Sequence, residues 1–306
     1  MEYIKVSQAA EKWGITARRV RILCAQNKIE GVRKRGNLYM IPEDAHRPVD
    51  NRKFKGKKLP SKFAAQFKTI DAKKEELARL RPLTEGEVER IRNDFLINFT
   101  YDSNAIEGNT LTLKETAMVL EGMTIDQKPL KDHLEAVGHR DAFLYVQDLT
   151  DNQLSNNECV IKNIHSLVLM NRPNDKGVYR CIPVMIAGAF TKPVQPYLIE
   201  PMMNELVNNN EARKKTMHLI ERVAIFHLEF EGIHPFIDGN GRTGRLILNL
   251  DMMNNGYPPI NIKYTDRKKY YDAFDQYYEH NDASEMISLV ANYLSERLDQ
   301  YLALLI

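Results

Sequence analysis

Along most of this 306-residue chain the apolar positions recur at three- and four-residue intervals, the period of a helix with one buried face. The spacing predicts helices in FAAQFKTIDAKKEELARL (from Phe63), EGEVERIRNDFLINFTYDSNAIEG, LKDHLEAVGHRDAFLYVQDLT, VIKNIHSLVLM, TMHLIERVAIFHLEFEGIHPF and GRTGRLILNLDMMNNG, with a Tyr- and Leu-rich helical series at the C-terminus. Residues 177–201 depart from that period. Four prolines and β-branched clusters there predict an extended hairpin or loop laid against the helices. The expected fold is mainly α.

The first 48 residues follow a different pattern. Ser7 is the expected cap of a short helix running to Trp13, Gly14 breaks it, and Thr16 caps a second helix whose stripe is Val20, Leu23 and Cys24. IEGVRKRGNLYMIP then predicts two short strands around Arg35-Gly36-Asn37. Residues 1–62 hold sixteen Lys/Arg against six Asp/Glu, whereas the remainder holds 27 against 35, so the net charge of +2 conceals a basic module on an acidic body. Over residues 3–46 the module resembles the MerR/excisionase-like winged helix-turn-helix group. The resemblance implies DNA contacts through Arg18, Arg19 and Arg21 on the second helix and Arg33, Lys34 and Arg35 at the wing. A small basic domain that docks only protein is the alternative. The expected division is a winged helix-turn-helix at 1–48, a basic linker at 49–62 and one large domain at 63–306.

No run of 18 apolar residues occurs, and charges interrupt the opening MEYIKVSQAAEKWG where a signal peptide needs an apolar stretch. Cys24, Cys159 and Cys181 form no even-numbered framework. No membrane association and a cytoplasmic home are expected.

The chemistry concentrates in HPFIDGNGRTGR, His234 to Arg245. Its glycines fit G-x-G-x-x-G, but a dinucleotide loop must leave a buried strand, and helical spacing surrounds this one. A P-loop fails as well, because Arg245 and Leu246 stand where Lys and Ser/Thr are required. What remains is a helix-loop-helix whose amides at Gly239, Asn240 and Gly241 converge at a helix N-terminus, an anion site. Arg242 and Arg245 share a face and reach phosphate oxygens. Asp238 is placed to hold Mg²⁺ against the same phosphates, and His234 to take a proton from an incoming hydroxyl. His227, Glu229, Glu231 and His234 lack the H-E-x-x-H spacing of a zinc site.

This array is similar, position for position, to the Fic (Fic/Doc) signature H-x-F-x-[DE]-G-N-G-R-x-x-R. The resemblance covers roughly residues 85–290. It implies Mg²⁺-dependent transfer of AMP from ATP to a Ser, Thr or Tyr hydroxyl of a protein target or of the chain itself. His234 would be the base and Asp238 the metal ligand. The loop Gly239, Asn240, Gly241, Arg242, Thr243, Gly244 and Arg245 would bind nucleotide, with Asn240 on the α-phosphate and both arginines on the β- and γ-phosphates. A β-hairpin flap, here GVYRCIPVMIAG, would clamp the target, with Val184, Met185, Ile186 and Ala187 closing on the nucleotide. Tyr270 matches a position near adenine, although Tyr278 replaces the asparagine often found eight residues on. SNAIEGN, Ser103 to Asn109, resembles the inhibitory helix of autoregulated members, expected near 98–108, with Glu107 paired to Arg245. Removal of AMP from modified targets and homodimers also occur among such proteins. The alternatives are a DNA-binding regulator whose Fic domain senses ATP, or transfer of another nucleotide or a phosphoryl group.

Overall fold

The computed structural model describes residues 3–13, 16–26, 28–29, 31–36, 38–43, 45, 61–185 and 193–305. The chain divides into two compact units, Met1–Lys57 and Lys58–Ile306. In the first, β1 (Tyr3–Lys5) leads into α1 (Val6–Trp13) and α2 (Ala17–Ala25), followed by β2 (Arg33–Arg35) and β3 (Leu38–Pro42). The strands form an antiparallel sheet in the order β1-β3-β2, with Tyr3 opposite Pro42 and Arg35 opposite Leu38. Its core is small: Ala9, Ala10, Trp13, Val20, Leu23, Cys24, Ile29 and Ile41. Burial pushes the Cys24 thiol up to about 11.

Thr16 caps α2, its hydroxyl accepting the Arg19 N–H at 3.2 Å. Ser7 does not cap α1. The helix begins one residue earlier, and the Gln8 side-chain carbonyl accepts the Lys5 N–H at 2.9 Å, a reach Ser lacks. Strand β1 was not anticipated, because three residues carry too little alternation to read.

The second unit is helical: α3 (Ser61–Arg79), α4 (Glu85–Ile106), α5 (Leu113–Leu120), α6 (Leu130–Asp151), α7 (Glu158–Val168), α8 (Pro196–Arg213), α9 (Leu219–Ile233), α10 (Asn240–Asn254), α11 (Arg267–His280) and α12 (Ser284–Leu305). Most of the expected linker lies outside the described residues, and its last two, Ser61 and Lys62, belong to α3. Eleven of the fifteen residues of α9 are buried, so it is enclosed on every side rather than along one stripe. It runs between two apolar clusters, one including Phe67, Val223, Leu228, Met252 and Leu294, the other Phe99, Phe143, Ile161, Phe226, Phe230 and Phe236. Each such side chain contributes about 1.5–3 kcal/mol when fully buried. The loop between α9 and α10 is thereby hung on two helices whose residues are mostly buried.

The segment expected to be extended over 177–201 is shorter. Among the described residues it holds no strand, and its last six residues open α8. Pro196 suits the first helical position, where no N–H is needed. Pro201 does fall inside α8 and forfeits one backbone bond, a loss offset by burial of Leu198, Ile199, Met203 and Leu206.

Candidate active site

His234 ends α9 in the left-handed region, φ 50° and ψ 62°, its N–H donating to the Phe230 carbonyl at 3.0 Å. A residue with a Cβ is strained in that conformation, so the neighbours must hold it. Arg180 is the chief support. Its buried guanidinium donates to the carbonyls of His234 (2.8 Å), Ile233 (3.4 Å), Ile182 (2.9 Å) and Val194 (2.6 Å), while its N–H donates to Pro235 O at 2.9 Å.

Phe236, fully buried, anchors the loop beyond. Asn240 folds back on it, accepting the Phe236 N–H at 2.9 Å and donating to the Phe236 carbonyl at 3.0 Å. His165 stacks on the ring, centroids 3.6 Å apart. Its Nδ1 accepts the Gly177 N–H at 2.8 Å, which leaves Nε2 protonated to donate to Asp238 O at 2.9 Å. Burial pushes this imidazole down to about 4 and keeps it neutral.

Gly239, at φ +74°, turns the chain into α10 with Val168 and His165 against it. A Cβ on Gly241 would collide with the Glu107 carboxylate, which lies over the first turn of α10 where its free amides converge. Glu107 is the C-cap of α4. Arg245, 2% exposed, donates from Nη2 to Glu107 Oε1 at 2.8 Å and to Ser103 O at 2.7 Å, from Nε to Ser103 Oγ at 2.9 Å, and from Nη1 to the Tyr270 hydroxyl at 3.2 Å. Arg242, 1% exposed, lies 3.2 Å from Glu135 Oε1 and 3.3 Å from Asp238 Oδ1, and donates to Asn104 Oδ1 at 3.4 Å.

Burial opposes ionisation of Asp238, but Arg242 and the Gly239 N–H overcome it and hold the carboxylate below its usual range. The His234 imidazole is pushed down to about 4, by burial first and then by the Arg180 charge. It is therefore a neutral acceptor at ordinary pH.

The structure thus gathers His234, Asp238, Gly239, Asn240, Gly241, Arg242, Gly244, Arg245, Ser103 and Glu107 around one loop, with the Thr243 hydroxyl buried beneath it. Val184 is half-buried and Met185 is 94% exposed, whereas Ile186 and Ala187 lie outside the described residues. Tyr270 is 1% exposed, its hydroxyl between Arg245 and His227, a core position under the cradle. Arg18, Arg21, Arg33 and Lys34 are exposed in the first unit and Arg19 half-buried there; the Arg33 guanidinium lies 4.9 Å from the Tyr3 ring centroid. Arg35 lies in β2. Arg180, His165, Glu135 and Asn104 were not anticipated, since they act through backbone carbonyls or through partners far away in sequence.

The profile of the Fic/DOC family matches residues 156–251. The chain is 35% identical over 241 residues to the protein adenylyltransferase Fic of Nematostella vectensis, covering 76% of this chain and 55% of that protein. It is 36% identical over 210 residues to protein adenylyltransferase fic-1 of Caenorhabditis briggsae, covering 67% and 41%. The chain thus spans about half the length of these curated relatives. Among solved structures, a single-substitution variant of C. elegans Fic-1, residues 134–508, superposes with a TM-score of 0.69 at 30% identity, over 78% of this chain and 71% of that one. A Fic domain containing signaling protein of Bacteroides thetaiotaomicron superposes at 0.67 with 28% identity, over 78% and 95%.

Proposed function

We propose, from the premise that this chain belongs to the Fic/DOC family, that it is a protein adenylyltransferase held at rest by Glu107. The observation that carries the reading is the Glu107 carboxylate itself, lying on the α10 amide cradle and bonded to Arg245, where the phosphates of ATP would sit. An anion occupies an anion site. ATP must displace it, or bind with its terminal phosphates misplaced, and misplacement by about 1 Å can cost a hundredfold in rate.

In the reaction the target hydroxyl oxygen bonds to the α-phosphorus, the bond to the β-phosphate oxygen breaks, and pyrophosphate leaves. His234 accepts the hydroxyl proton; a base so placed contributes roughly 10²–10⁴-fold. Arg242, Arg245 and the free amides of Asn240 and Gly241 hold the phosphates, and the flap expected in GVYRCIPVMIAG orients the target. Asp238 fits Mg²⁺: its carboxylate is held in the ionised form and is 37% exposed, and Oδ2 lies 3.9 Å from Arg172, beyond hydrogen-bond distance. A bound Mg²⁺ would neutralise phosphate charge. The target is a protein hydroxyl, in trans or on this chain.

The N-terminal unit binds DNA in this reading, which its exposed Arg18, Arg21, Arg33 and Lys34 support. Self-association of the helical unit and reversal of the modification by water belong to the same reading. So does a cytoplasmic location, which the free thiols of Cys24, Cys159 and Cys181 support. Among the described residues no helix is long and apolar enough to cross a membrane.

The test is transfer of label from α-³²P-ATP with Mg²⁺, with γ-labelled ATP as control. Label from the α position that rises in Glu107→Gly supports the reading. Absence of α label in that variant, on itself or in a lysate, overturns it. A steeply salt-dependent gel shift by residues of the basic unit in the full chain tests the DNA reading, and Arg18→Ala with Arg21→Ala should weaken it.

A further inference from the structure

One enclosed carboxyl has no part in the chemistry above. Glu231 lies on α9 one turn before His234, its side chain 13% exposed, with Oε2 3.8 Å from His234 Nδ1. The Glu231 backbone carbonyl faces the same ring. Its other oxygen, Oε1, is sealed from solvent without a hydrogen-bond partner and lies against Gly244, where a Cβ would come within 2.9 Å of it. Gly is a weaker helix former than Ala, and in α10 it leaves room for this oxygen and for the His227 ring.

We propose that Glu231 is a positioning residue for His234: its carboxyl, enclosed behind the imidazole, keeps Nδ1 turned inward and Nε2 toward the target hydroxyl, and balances the charge the ring gains. This inference rests on the adenylyltransferase reading. The ring's two nitrogens are unlike. Nδ1 is enclosed on the Glu231 side, 3.8 Å from Oε2 and without a hydrogen-bond partner; with the ring's proton on that inward nitrogen, Nε2 is left as the acceptor. When Nε2 takes the hydroxyl proton, the imidazolium carries its charge 3.8 Å from the Glu231 oxygen.

Among the described residues, the groups around this pair come from several elements. From α9 itself there is His227, whose Nε2 lies 2.7 Å from the Tyr270 hydroxyl. The end of α4 contributes Glu107, α10 contributes Arg245, α11 contributes Tyr270 and Tyr278, and Arg180 and Asp238 act on His234. Burial, then the Glu107 charge, push the Glu231 carboxyl up to about 8 against the pull of Arg245. Glu231 is accordingly protonated in the resting protein near neutral pH and ionises as pH rises. Ionised, it favours the imidazolium, so transfer should climb with pH through a step well above the His234 step at about 4. In a Glu107→Gly background that step falls below about 8, because one group that raises it is gone.

The experiment measures the pH profile of α-label transfer in Glu107→Gly and in Glu107→Gly/Glu231→Gln, together with the His234 ring signals by NMR titration in both. The proposal expects the upper step to vanish in the Gln variant, with transfer on its alkaline side falling about tenfold while half-saturation by ATP is unchanged, and the His234 signals no longer reporting a second titration. An unmoved profile and unmoved ring signals, with Glu107→Gly active, overturn the role of Glu231 alone. No transfer in Glu107→Gly at any pH overturns the adenylyltransferase reading, while the NMR titration still judges the contact between Glu231 and His234. If Glu231→Gln does not fold, Glu231→Asp serves: the carboxylate retreats by one methylene, and the upper step must survive with reduced amplitude.

Discussion

The two sides of the site are held by opposite means. On the cradle side, Arg245 and Arg242 are enclosed and paired with acids: Glu107 at 2.8 Å for the first, Glu135 at 3.2 Å and Asp238 at 3.3 Å for the second. On the base side, Arg180 is buried too, yet its guanidinium meets four backbone carbonyls. A carboxylate can be exchanged for a phosphate of like charge, so the cradle is built to change partners. Carbonyls cannot leave without unfolding the segment they belong to, so the base side is built to stay put. Its buried charge, which meets no acid among the described residues, is costly, and burial pulls the Arg180 pKa down accordingly. If Glu107 is the lock proposed above, inhibition should be released on the cradle side, with the Arg180 contacts that hold the His234 backbone kept.

The sharpest way to break that separation is His234→Ala in the Glu107→Gly background. Transfer should fall by roughly 10²–10⁴-fold while ATP binding, a cradle property, is kept. Full activity in this variant would refute the base assignment, and lost ATP binding would mean that the two sides are one. Next in size is Glu107→Gly itself. Freeing Arg245 and the Gly241 amide should raise transfer by about a hundredfold, read as α-label per unit time. A rise that came with a shifted Arg180 guanidinium signal, the tie that holds the His234 carbonyl, would show that the base side yields as well.

The same division decides how much of the molecule was legible from its residues. The loop at the start of α10 was legible because its parts are contiguous: three glycines, Asn240 and two arginines within twelve positions predict a glycine turn into a helix start, the arrangement expected of an anion site. Ser103 and Glu107 became legible beside it, being four apart on one helix, and both meet Arg245. The base side was not. Arg180 bonds to carbonyls, which every residue carries, so no pattern of residue types announces it. His165 and Glu135 reach the loop from α7 and α6, contacts that only the packing of helices creates. Helix α8 was hidden by its prolines, because Pro201 argued against a helix that buried Leu and Ile enforce. Strand β1 and the true start of α1 were too local to carry a period.

Arg180→Lys sharpens the comparison from the other direction. Lysine keeps the charge but offers one donor group where a planar fork spans four carbonyls, leaving buried acceptors unmet at about 1–3 kcal/mol each. In the Glu107→Gly background, transfer should drop about tenfold as the carbonyls of His234, Ile182 and Val194 lose their common tie, and ATP binding should not change. Equal losses in both would place Arg180 in the scaffold of the cradle.

The smallest effect expected is that of Ser103→Ala. Arg245 Nε donates to Ser103 Oγ at 2.9 Å, while Nη2 keeps the Ser103 carbonyl and Glu107. The variant removes one of several bonds to a fully enclosed cation, so stability should fall by about 1 kcal/mol, read in a denaturant titration. Arg245 is then held less firmly in its resting partnership. A phosphate supplies a stronger acceptor than the lost hydroxyl, so ATP should compete better and transfer should rise a few-fold. The direction is the informative part. Were Ser103 simply part of the support of an active Arg245, its loss would lower transfer, and the cradle would be a fixed frame like the base side. A rise accompanied by lower stability would mark the Ser103 contact as part of the resting lock.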